Sequence, residues 1–309
     1  MTLHPPVPDA PPALVVAGAD AASDERPRLA AIYGADFSAL SITPSRGDRA
    51  PSVVRSALPR FAPWNAATGT DLTAWHVVDM GDAGAHRLAW EAAFEAITAT
   101  VVSASEAAEF TIGLGGDHSV TYPIGMALAG RCTRLGIIQL DVHHDVRPIS
   151  ATPSNGSPIR GLIEAGRVAP EDVVQIGIHP YANRRELTEY CDEYGIRRYS
   201  LTELRQMGAS ACIAAAREAL AHCDHIHLTV DIDVLDRAFA PGTVAALPGG
   251  ITPDELSALV DHACADPLVR SMDVVEFDPE RDVSSITAYN VAHVVMIALH
   301  ALARRRSTR

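Results

Sequence analysis

LGIIQLDVHHD, residues 135–145, joins a short apolar run to side chains that bind metals. The run predicts a strand buried on both faces, as in a parallel sheet covered by helices. Asp141, His143 and Asp145 follow it at a spacing of two. If the backbone stays extended, alternate side chains point the same way, so these three face one site. Two carboxylates and an imidazole at a buried strand end are costly without a partner, and a divalent metal would be a suitable one.

Two other stretches repeat this arrangement. In IHLTVDID, residues 226–233, Asp231 and Asp233 follow an apolar strand at the same spacing. In FTIGLGGDHS, residues 110–119, His118 follows a strand and a Gly-Gly turn. Ligands of open α/β sheets bind beyond the carboxyl ends of the strands, so we expect the three stretches to converge there. The alternative is that these aspartates only cap helices and turns, as aspartates after strands often do.

The three stretches together offer four carboxylates and two imidazoles, which is too much charge for one ion. They suit a pair of divalent ions about 3.5 Å apart that share carboxylate bridges. Because the set contains no thiolate, Mn²⁺ fits better than the Zn²⁺ of a structural site. The predicted metal ligands are His118, Asp141, His143, Asp145, Asp231 and Asp233.

Composition narrows the class of protein. The chain has 309 residues, is 48% hydrophobic and carries a net charge of -13, which argues against nucleic acid or an anionic membrane as a partner. No apolar run reaches the length of about 18 residues that a membrane span needs, and the start MTLHPPVPDAPP lacks the features of a secretory signal. The five cysteines show no CxxC pairing and are typical of reduced thiols, so we expect a cytoplasmic protein.

Apolar strands alternate with helical patterns along the chain. This alternation predicts an α/β fold of three layers, α/β/α, with a mostly parallel central sheet. Residues 1–26 are rich in Pro and Ala and are predicted to form a flexible N-terminal arm, followed by a single domain over 27–309. Helices are predicted over 86–104, 120–130, 184–193, 211–221, 254–263 and 291–304.

These motifs resemble the ureohydrolase family, which includes arginases, agmatinases and formimidoylglutamases. The family signatures GGDH, DxHxD and DxDxxD occur in order at residues 115–118, 141–145 and 231–236, and the resemblance runs from about residue 43 to the last helix. It implies an arginase-like fold, two Mn²⁺ ions per subunit, and a homo-oligomer, either a trimer or a hexamer. By the same resemblance, His118, Asp141, Asp145 and Asp231 would hold one ion, and Asp141, His143, Asp231 and Asp233 the other.

The resemblance also implies a reaction. In that family, a hydroxide between the metals attacks the central carbon of an amidino or guanidino group, and an amine leaves. Asp145 would touch the hydroxide and carry a proton to the leaving amine. Glu276, after the last strand, matches the glutamate near the cationic head of the substrate. A solvated carboxylate at a strand end is the alternative for Glu276.

The region after Asp145 departs from the arginase pattern. Arginases and most agmatinases carry a histidine proton shuttle where this chain has Asn155, in SNGSPIRG. Asparagine cannot move protons, so a strongly basic leaving amine would lose help of about 10²–10⁴-fold. The Asn-Gly pair is also typical of a type I′ turn, which is the structural alternative. The SNGSPIR form resembles formimidoylglutamases, in which a neutral residue stands here and the α-amine of glutamate leaves.

A basic residue close to the motif indicates an acidic substrate. Arg147 lies where arginases place a neutral side chain at the amino acid end of the substrate. Arginine binds carboxylates through charge-assisted bonds that contribute roughly 1.5–3 kcal/mol. Arg160 is a second candidate for this role and Asn183 a further substrate contact, although both arginines could instead be surface residues. Two cations beside two metals favour a dianion such as N-formimidoyl-L-glutamate and disfavour agmatine.

We therefore predict a metal-dependent hydrolase that converts N-formimidoyl-L-glutamate and water into L-glutamate and formamide, a step of histidine breakdown. The alternative is another ureohydrolase, which would release urea from a guanidino acid, an arginine derivative or an agmatine-like substrate. Two further hypotheses are a metal-binding protein without turnover and a structural module without metal. The six intact ligands argue against both of these.

Overall fold

The computed structural model describes residues 14–17 and 23–307. Its strands are β1 (Val15–Ala17), β2 (Arg28–Ala35), β3 (Trp64–Asn65), β4 (Thr70–Asp71), β5 (His76–Asp82), β6 (Thr111–Gly115), β7 (Leu135–Leu140), β8 (Val173–Ile178), β9 (Arg197–Ser200), β10 (His225–Asp231) and β11 (Val269–Val275). Nine of them form one sheet in the order β1-β5-β2-β6-β11-β10-β7-β8-β9, and every neighbouring pair is parallel. The strands β3 and β4 form a separate antiparallel pair.

Helices cover both faces of the sheet. They are α1 (Ala50–Ala57), α2 (Trp90–Ala107), α3 (Thr121–Ala129), α4 (Pro158–Glu164), α5 (Arg185–Tyr194), α6 (Leu201–Met207), α7 (Ala209–Ala219), α8 (Pro253–Cys264) and α9 (Ile286–Ser307). One face packs against side chains such as Val54 of α1 and Leu259 of α8, and the other against Ile97 of α2 and Ile124 of α3. Burying each such side chain contributes about 1.5–3 kcal/mol. The predicted three-layer α/β/α architecture with a parallel sheet is confirmed.

Local signals explain where the predicted helices were right and where they were not. Helix α2 begins at Trp90 and not at residue 86, because a 3₁₀ turn over Ala85–Arg87 follows Gly84, whose φ is +70°. The sequence analysis predicted no helix at α6. There Ser200 and Glu203 form a capping box, a signature visible in the sequence that could have revealed the helix.

The N-terminal region contains a strand that the sequence did not predict. Val15–Ala17 lies within the stretch expected to be a flexible arm, yet it pairs in parallel with residues 77–79 of β5 at the edge of the sheet. Three residues of this stretch are therefore part of the sheet. The rest of the predicted arm falls largely on residues 1–13 and 18–22, which lie outside the described residues. The single domain over 27–309 remains a prediction.

Helix α9 meets the length and composition of a membrane span, although we expect no such span from the sequence. An 18-residue window in it has a mean hydropathy of 1.6. Of this window, 72% is buried inside the protein, where α9 packs against α8 and α1. Its apolar composition is therefore that of a helix in a protein core.

The order of the strands places the predicted site residues together. The four middle strands, β6, β11, β10 and β7, are direct neighbours. His118 follows β6, Glu276 follows β11, Asp231 ends β10 and Asp141 follows β7. Because parallel strands end at the same edge of the sheet, these four side chains meet at the usual ligand-binding edge of an open α/β sheet.

Candidate active site

Three carboxylates surround the imidazole of His118. Its Nδ1 lies 2.7 Å from Oδ2 of Asp145 and 3.2 Å from Oδ2 of both Asp141 and Asp231. All four side chains are buried. These are the four residues that the sequence assigns to one ion, and the structure brings them together.

A second group shares Asp141 with the first. Nδ1 of His143 lies 3.0 Å from Oδ2 of Asp233 and 3.4 Å from Oδ1 of Asp141. The backbone N–H of Asp233 donates to Oδ1 of Asp231 at 2.8 Å, which links Asp231 to this group as well. Asp141 turns one oxygen towards each imidazole and is therefore placed to bridge two ions.

The donor atoms fit a pair of divalent metal ions. His118 Nδ1, Asp145 Oδ2 and both carboxylate oxygens of Asp233 are buried and make no hydrogen bond within the described part of the chain. One ligand atom from each of His118, Asp141 and Asp145 lies within 4.8 Å of the others, and the same holds for Asp141, His143 and Asp233. Buried polar atoms without partners are costly, so close but unpaired donors indicate room for cations. Oxygen and imidazole ligands without thiolate suit Mn²⁺.

Crowding of charge perturbs the carboxylates. Burial and the neighbouring Asp141 raise the pKa of Asp145 to about 6. The pKa of Asp231 is raised well above its usual value, first by burial and then by Asp233 and Asp141. For Asp141 burial acts in the same direction, but His118 and His143 outweigh it and lower its pKa. The carboxylates repel one another at close range, which is a further reason to expect cations among them.

Two of the site residues have a backbone conformation that is rare outside glycine. Asp145 has a φ of +52° and Glu276 a φ of +66°. Each left-handed residue other than glycine costs of order 1–3 kcal/mol and persists where the surrounding structure enforces it. The distortion turns both side chains into the same cavity, which they line.

A network of two glutamine amides lies behind the metal ligands and was not predicted from the sequence. Gln139 Nε2 donates to Asp141 Oδ2 at 2.7 Å, and Gln175 Nε2 donates to Gln139 Oε1 at 2.8 Å. His144 extends this network, because its Nδ1 lies 2.8 Å from Gln175 Oε1. Gln139 on β7 pairs in register with Gln175 on β8, and both side chains are fully buried. A glutamine within each of two apolar strands is the sequence signal that could have indicated this network.

The carboxylates form the floor of a cavity of about 150 Å³. Ile42 and Thr43 contribute to its wall. Among the described residues that line it, Arg147 is the one arginine or lysine. The Arg147 side chain is half-buried and makes no hydrogen bond or ion pair within residues 14–17 and 23–307. A cation thus lines the cavity, and no carboxylate among the described residues forms an ion pair with it.

Gly156 keeps room for this arginine. A Cβ atom at position 156 would come within 2.6 Å of Arg147 Cδ and 2.8 Å of its Nε. The backbone N–H of Arg147 also donates to the carbonyl oxygen of Gly156 at 2.8 Å. Gly156 thus packs directly against Arg147, and its lack of a side chain leaves space for the guanidinium group at the cavity.

We expect Gly156→Ala to displace the Arg147 side chain and raise the KM for an anionic substrate, because its Cβ cannot share space with Cδ. Metal binding should be unchanged, since the contact lies away from the six predicted ligands. Steady-state kinetics together with a manganese count would check this. Gly130→Ala is the matched control, because Gly130, like Gly156, has no positive φ, and a Cβ atom there would meet its nearest neighbour at 3.5 Å, an ordinary contact distance. A Gly156→Ala enzyme with an unchanged KM would show that Arg147 does not need this space.

Asn155 is tied to its surroundings at both ends of its amide. Its Nδ2 donates to Glu276 Oε1 at 2.9 Å, and its Oδ1 accepts from the N–H of Ile42 at 3.0 Å. Neither Asn155 nor Gly156 has a positive φ, so the turn is not of type I′, which requires positive φ at both central residues. Asn155 thus connects Glu276 to the loop that contains Ile42.

Glu276 lines the cavity and has one oxygen without a hydrogen bond among the described residues. Its Oε1 accepts from Asn155 and from the backbone N–H of His118 at 2.7 Å, whereas its buried Oε2 makes no hydrogen bond within the described residues. Burial, and then the nearby Asp117, raise the pKa of Glu276 to about 8. A cationic group in the cavity would stabilise the ionised form of this carboxyl group.

Two predicted substrate contacts are engaged elsewhere. Arg160 lies on α4 and does not line the cavity; its Nε donates to Glu164 at 2.6 Å, and its guanidinium sits 4.5 Å from the ring centroid of Tyr190. Asn183 does line the cavity, but its amide accepts from the N–H of His144 and donates to the carbonyl of Val142. The structure therefore does not bring Arg160 to the site, and it gives Asn183 a part in holding the loop after β7.

The chain is similar to known proteins over most of its length. A sequence profile described as the arginase family matches residues 28–301. The chain belongs to the arginase family. Proteins of this family depend on a binuclear metal centre and act on small amidino substrates.

Individual relatives of this arginase-family chain have related activities in their names. A formimidoylglutamase from Halalkalibacterium halodurans is 35% identical over 270 residues, which cover 86% of this chain and 84% of the relative. A guanidinopropionase from Pseudomonas aeruginosa is 35% identical over 215 residues, 69% of this chain and 67% of the relative. The crystal structure of formimidoylglutamase from Bacillus subtilis superposes with a TM-score of 0.86 at 27% identity and covers 94% of this chain and 90% of that one.

Proposed function

We propose that this chain is a binuclear manganese hydrolase that converts N-formimidoyl-L-glutamate and water into L-glutamate and formamide. The observation that carries the proposal is that Arg147 lines the same cavity as the carboxylates of the candidate metal site. A substrate that fits needs a carboxylate at one end and an amidino group at the other. The similarity to formimidoylglutamases supports this choice.

In the proposed reaction, different residues bind the metal ions, bind the substrate and transfer a proton. His118, Asp141, His143, Asp145, Asp231 and Asp233 would hold the two ions. A bound pair of divalent ions lowers the pKa of water and supplies hydroxide near neutral pH. Arg147 would bind a carboxylate of the substrate, while the free oxygen of Glu276 would accept an N–H of the amidino group and orient its carbon. Asp145, at the cavity wall, would carry a proton to the leaving amine.

Asn155 favours formimidoylglutamate over arginine. Its amide does not titrate and so cannot shuttle a proton, and its bonds to Glu276 and Ile42 hold it in place. The α-amine of glutamate is a less basic leaving group than a side-chain amine, so it depends less on an added proton donor.

A guanidino acid is the second candidate substrate. The guanidinopropionase relative is as similar in percentage identity as the formimidoylglutamase relative, over a shorter stretch. A guanidino acid also carries a carboxylate for Arg147 at the end opposite to its reactive carbon. The product distinguishes the two candidates, because the guanidino substrate would release urea.

We expect Mn²⁺-loaded protein to release formamide from N-formimidoyl-L-glutamate, and to release little urea from 3-guanidinopropionate, 4-guanidinobutyrate, arginine or agmatine. Both products can be quantified in the same reaction. Protein treated with a chelator and desalted is the control, and its activity should be lost and then return with Mn²⁺. Urea from a guanidino acid as the main product would move the assignment to the second candidate. Stoichiometric manganese without turnover of any of these amidines would indicate a binding protein.

The place and assembly of the enzyme follow the same proposal. We propose that it acts in histidine breakdown in the cytoplasm, on a small anionic substrate, without nucleic acid or membrane as a partner. The net charge of -13 supports the last point. We also propose a homo-oligomer, a trimer or a hexamer, by resemblance to the family. Light scattering of the purified protein would measure its mass in solution.

A further inference from the structure

A buried chain of hydrogen bonds runs behind the metal centre, along the strands β10 and β11. Register pairs His227 with Ser271 and Thr229 with Asp273. Because alternate residues of a strand point to the same face, these four side chains lie on one face of the sheet. All of them are buried, as is His225, two residues before His227.

Asp273 is the point where the bonds converge. Its Oδ1 accepts from Thr229 Oγ1 at 2.6 Å, and its Oδ2 accepts from Thr121 Oγ1 at 2.8 Å and lies 3.1 Å from His227 Nε2. Burial alone would raise the pKa of Asp273, but His227 and the hydrogen bonds outweigh it and the net shift is downward. At neutral pH Asp273 is therefore an acceptor at both oxygens.

The direction of these bonds fixes the proton on the His118 ring. The single hydroxyl hydrogen of Thr229 points at Asp273, so at its 3.0 Å contact with His118 Nε2 it can only accept. Nε2 of His118 must then carry a hydrogen. Without that constraint a neutral imidazole could place its hydrogen on Nδ1, the atom that faces Asp141, Asp145 and Asp231.

The series of hydrogen bonds continues beyond His227, away from the candidate metal ligands. Nδ1 of His227 lies 2.9 Å from Ser271 Oγ, which lies 2.8 Å from His225 Nε2. His225 lines a second cavity, of about 280 Å³, beside Arg270. These bonds hold His227 in the orientation that directs its Nε2 at Asp273.

We propose that Asp273 is a positioning residue that acts through Thr229 to keep a hydrogen on His118 Nε2 and leave Nδ1 free to bind a metal ion. The proposal rests on the proposed role of His118 as a ligand. Asp273 touches neither the substrate nor the ions. Asparagine at this position would offer an N–H₂ group on one side, so one of its present donors would lose its acceptor. Because two groups contact Oδ2 and one donates to Oδ1, the asparagine oxygen belongs on the Oδ2 side, which turns the N–H₂ group to Thr229. The hydrogen of Thr229 can then turn to His118 Nε2 and drive the ring proton onto Nδ1.

We expect Asp273→Asn and Thr229→Val to weaken Mn²⁺ binding by about 10–100-fold, the effect of removing the hydrogen-bonding partner of a ligand histidine. Thr229→Ser keeps the hydroxyl and should bind Mn²⁺ as the unaltered protein does. Chelator competition measures the dissociation constants without any turnover. Thr111→Val is a matched control: Thr111 is a register neighbour of Ser271, and its buried Oγ1 makes no hydrogen bond among the described residues.

A second measurement is made on the unaltered protein, and a variant serves only to assign the signal. Nitrogen-15 NMR of the metal-free protein, with the His118 signal identified by its loss in His118→Gln, should show a hydrogen on Nε2. An Nε2 without hydrogen would overturn the proposal, and so would Asp273→Asn and Thr229→Val variants that bind Mn²⁺ as tightly as Thr111→Val. A protein that binds Mn²⁺ but releases no formamide would overturn the proposed function and leave this inference intact. A protein that binds no Mn²⁺ would end both.

Discussion

Asp141→Asn should lose nearly all activity together with at least one of the two manganese ions. Asp141 belongs to both groups of candidate ligands, with Oδ2 3.2 Å from His118 Nδ1 and Oδ1 3.4 Å from His143 Nδ1. Asparagine would replace one of these oxygens by an N–H₂ group and remove the bridging charge. We expect kcat/KM to fall by roughly 10³-fold or more, equivalent to about 4 kcal/mol of barrier.

The measurement pairs a manganese count after loading and desalting with formamide release. Asp266→Asn is the matched control, because Asp266 is also a buried aspartate but pairs with Arg217, away from the candidate ligands. That control should keep two ions even if its unfolding midpoint falls. A folded Asp141→Asn protein with two ions and unaltered turnover would contradict the proposed bridge. Circular dichroism would confirm that both variants are folded.

The convergence of the candidate metal ligands was predictable from the sequence because its signals are local. Asp141, His143 and Asp145 lie within five residues, directly after a strand that hydrophobicity alone reveals. The strand predicted for the apolar run within residues 135–145 is observed as β7, Leu135–Leu140, for the same reason. The convergence of three such stretches also followed from a general property of parallel sheets, that their carboxyl ends share one edge.

Features that depend on the order of the strands were not predictable in this way. Nothing near Glu276 in the sequence shows that β11 lies between β6 and β10, although this position brings Glu276 to His118 and Asn155. Likewise, Val15–Ala17 becomes a strand only because the edge of β5 is available to it. Such pairings depend on contacts distant in sequence, which composition and periodicity do not encode.

The two arginines show the same limit at the level of single side chains. Arg147 and Arg160 carry the same charge and both follow Asp145 closely. The turn of α4 directs Arg160 towards Glu164 and the ring of Tyr190, whereas the contact with Gly156 leaves Arg147 at the cavity. Which cation binds substrate thus depends on backbone direction and on a neighbouring glycine, and only the structure supplies both.

Arg147→Ala should therefore raise the KM for N-formimidoyl-L-glutamate while leaving the manganese content at two ions. A charge-assisted bond to carboxylate contributes about 1.5–3 kcal/mol, so kcat/KM should fall roughly 10- to 150-fold, mainly through KM. The metal centre should be unaffected because Arg147 makes no side-chain hydrogen bond or ion pair within the described residues. Initial rates over a range of substrate concentrations provide the test.

Arg160→Ala is the matched control, since it removes the same charge thirteen residues further along the chain and should leave KM unchanged. Substrates in which one carboxylate is converted into an amide sharpen the test. Amidation of the carboxylate that Arg147 binds should lower kcat/KM strongly for the unaltered enzyme and little for the Arg147→Ala enzyme. The substitution and the amidation remove the same bond, so their effects are not additive. If both enzymes discriminate equally against each amide, Arg147 does not bind a substrate carboxylate. The preference for an acidic substrate would then have to come from another part of the cavity.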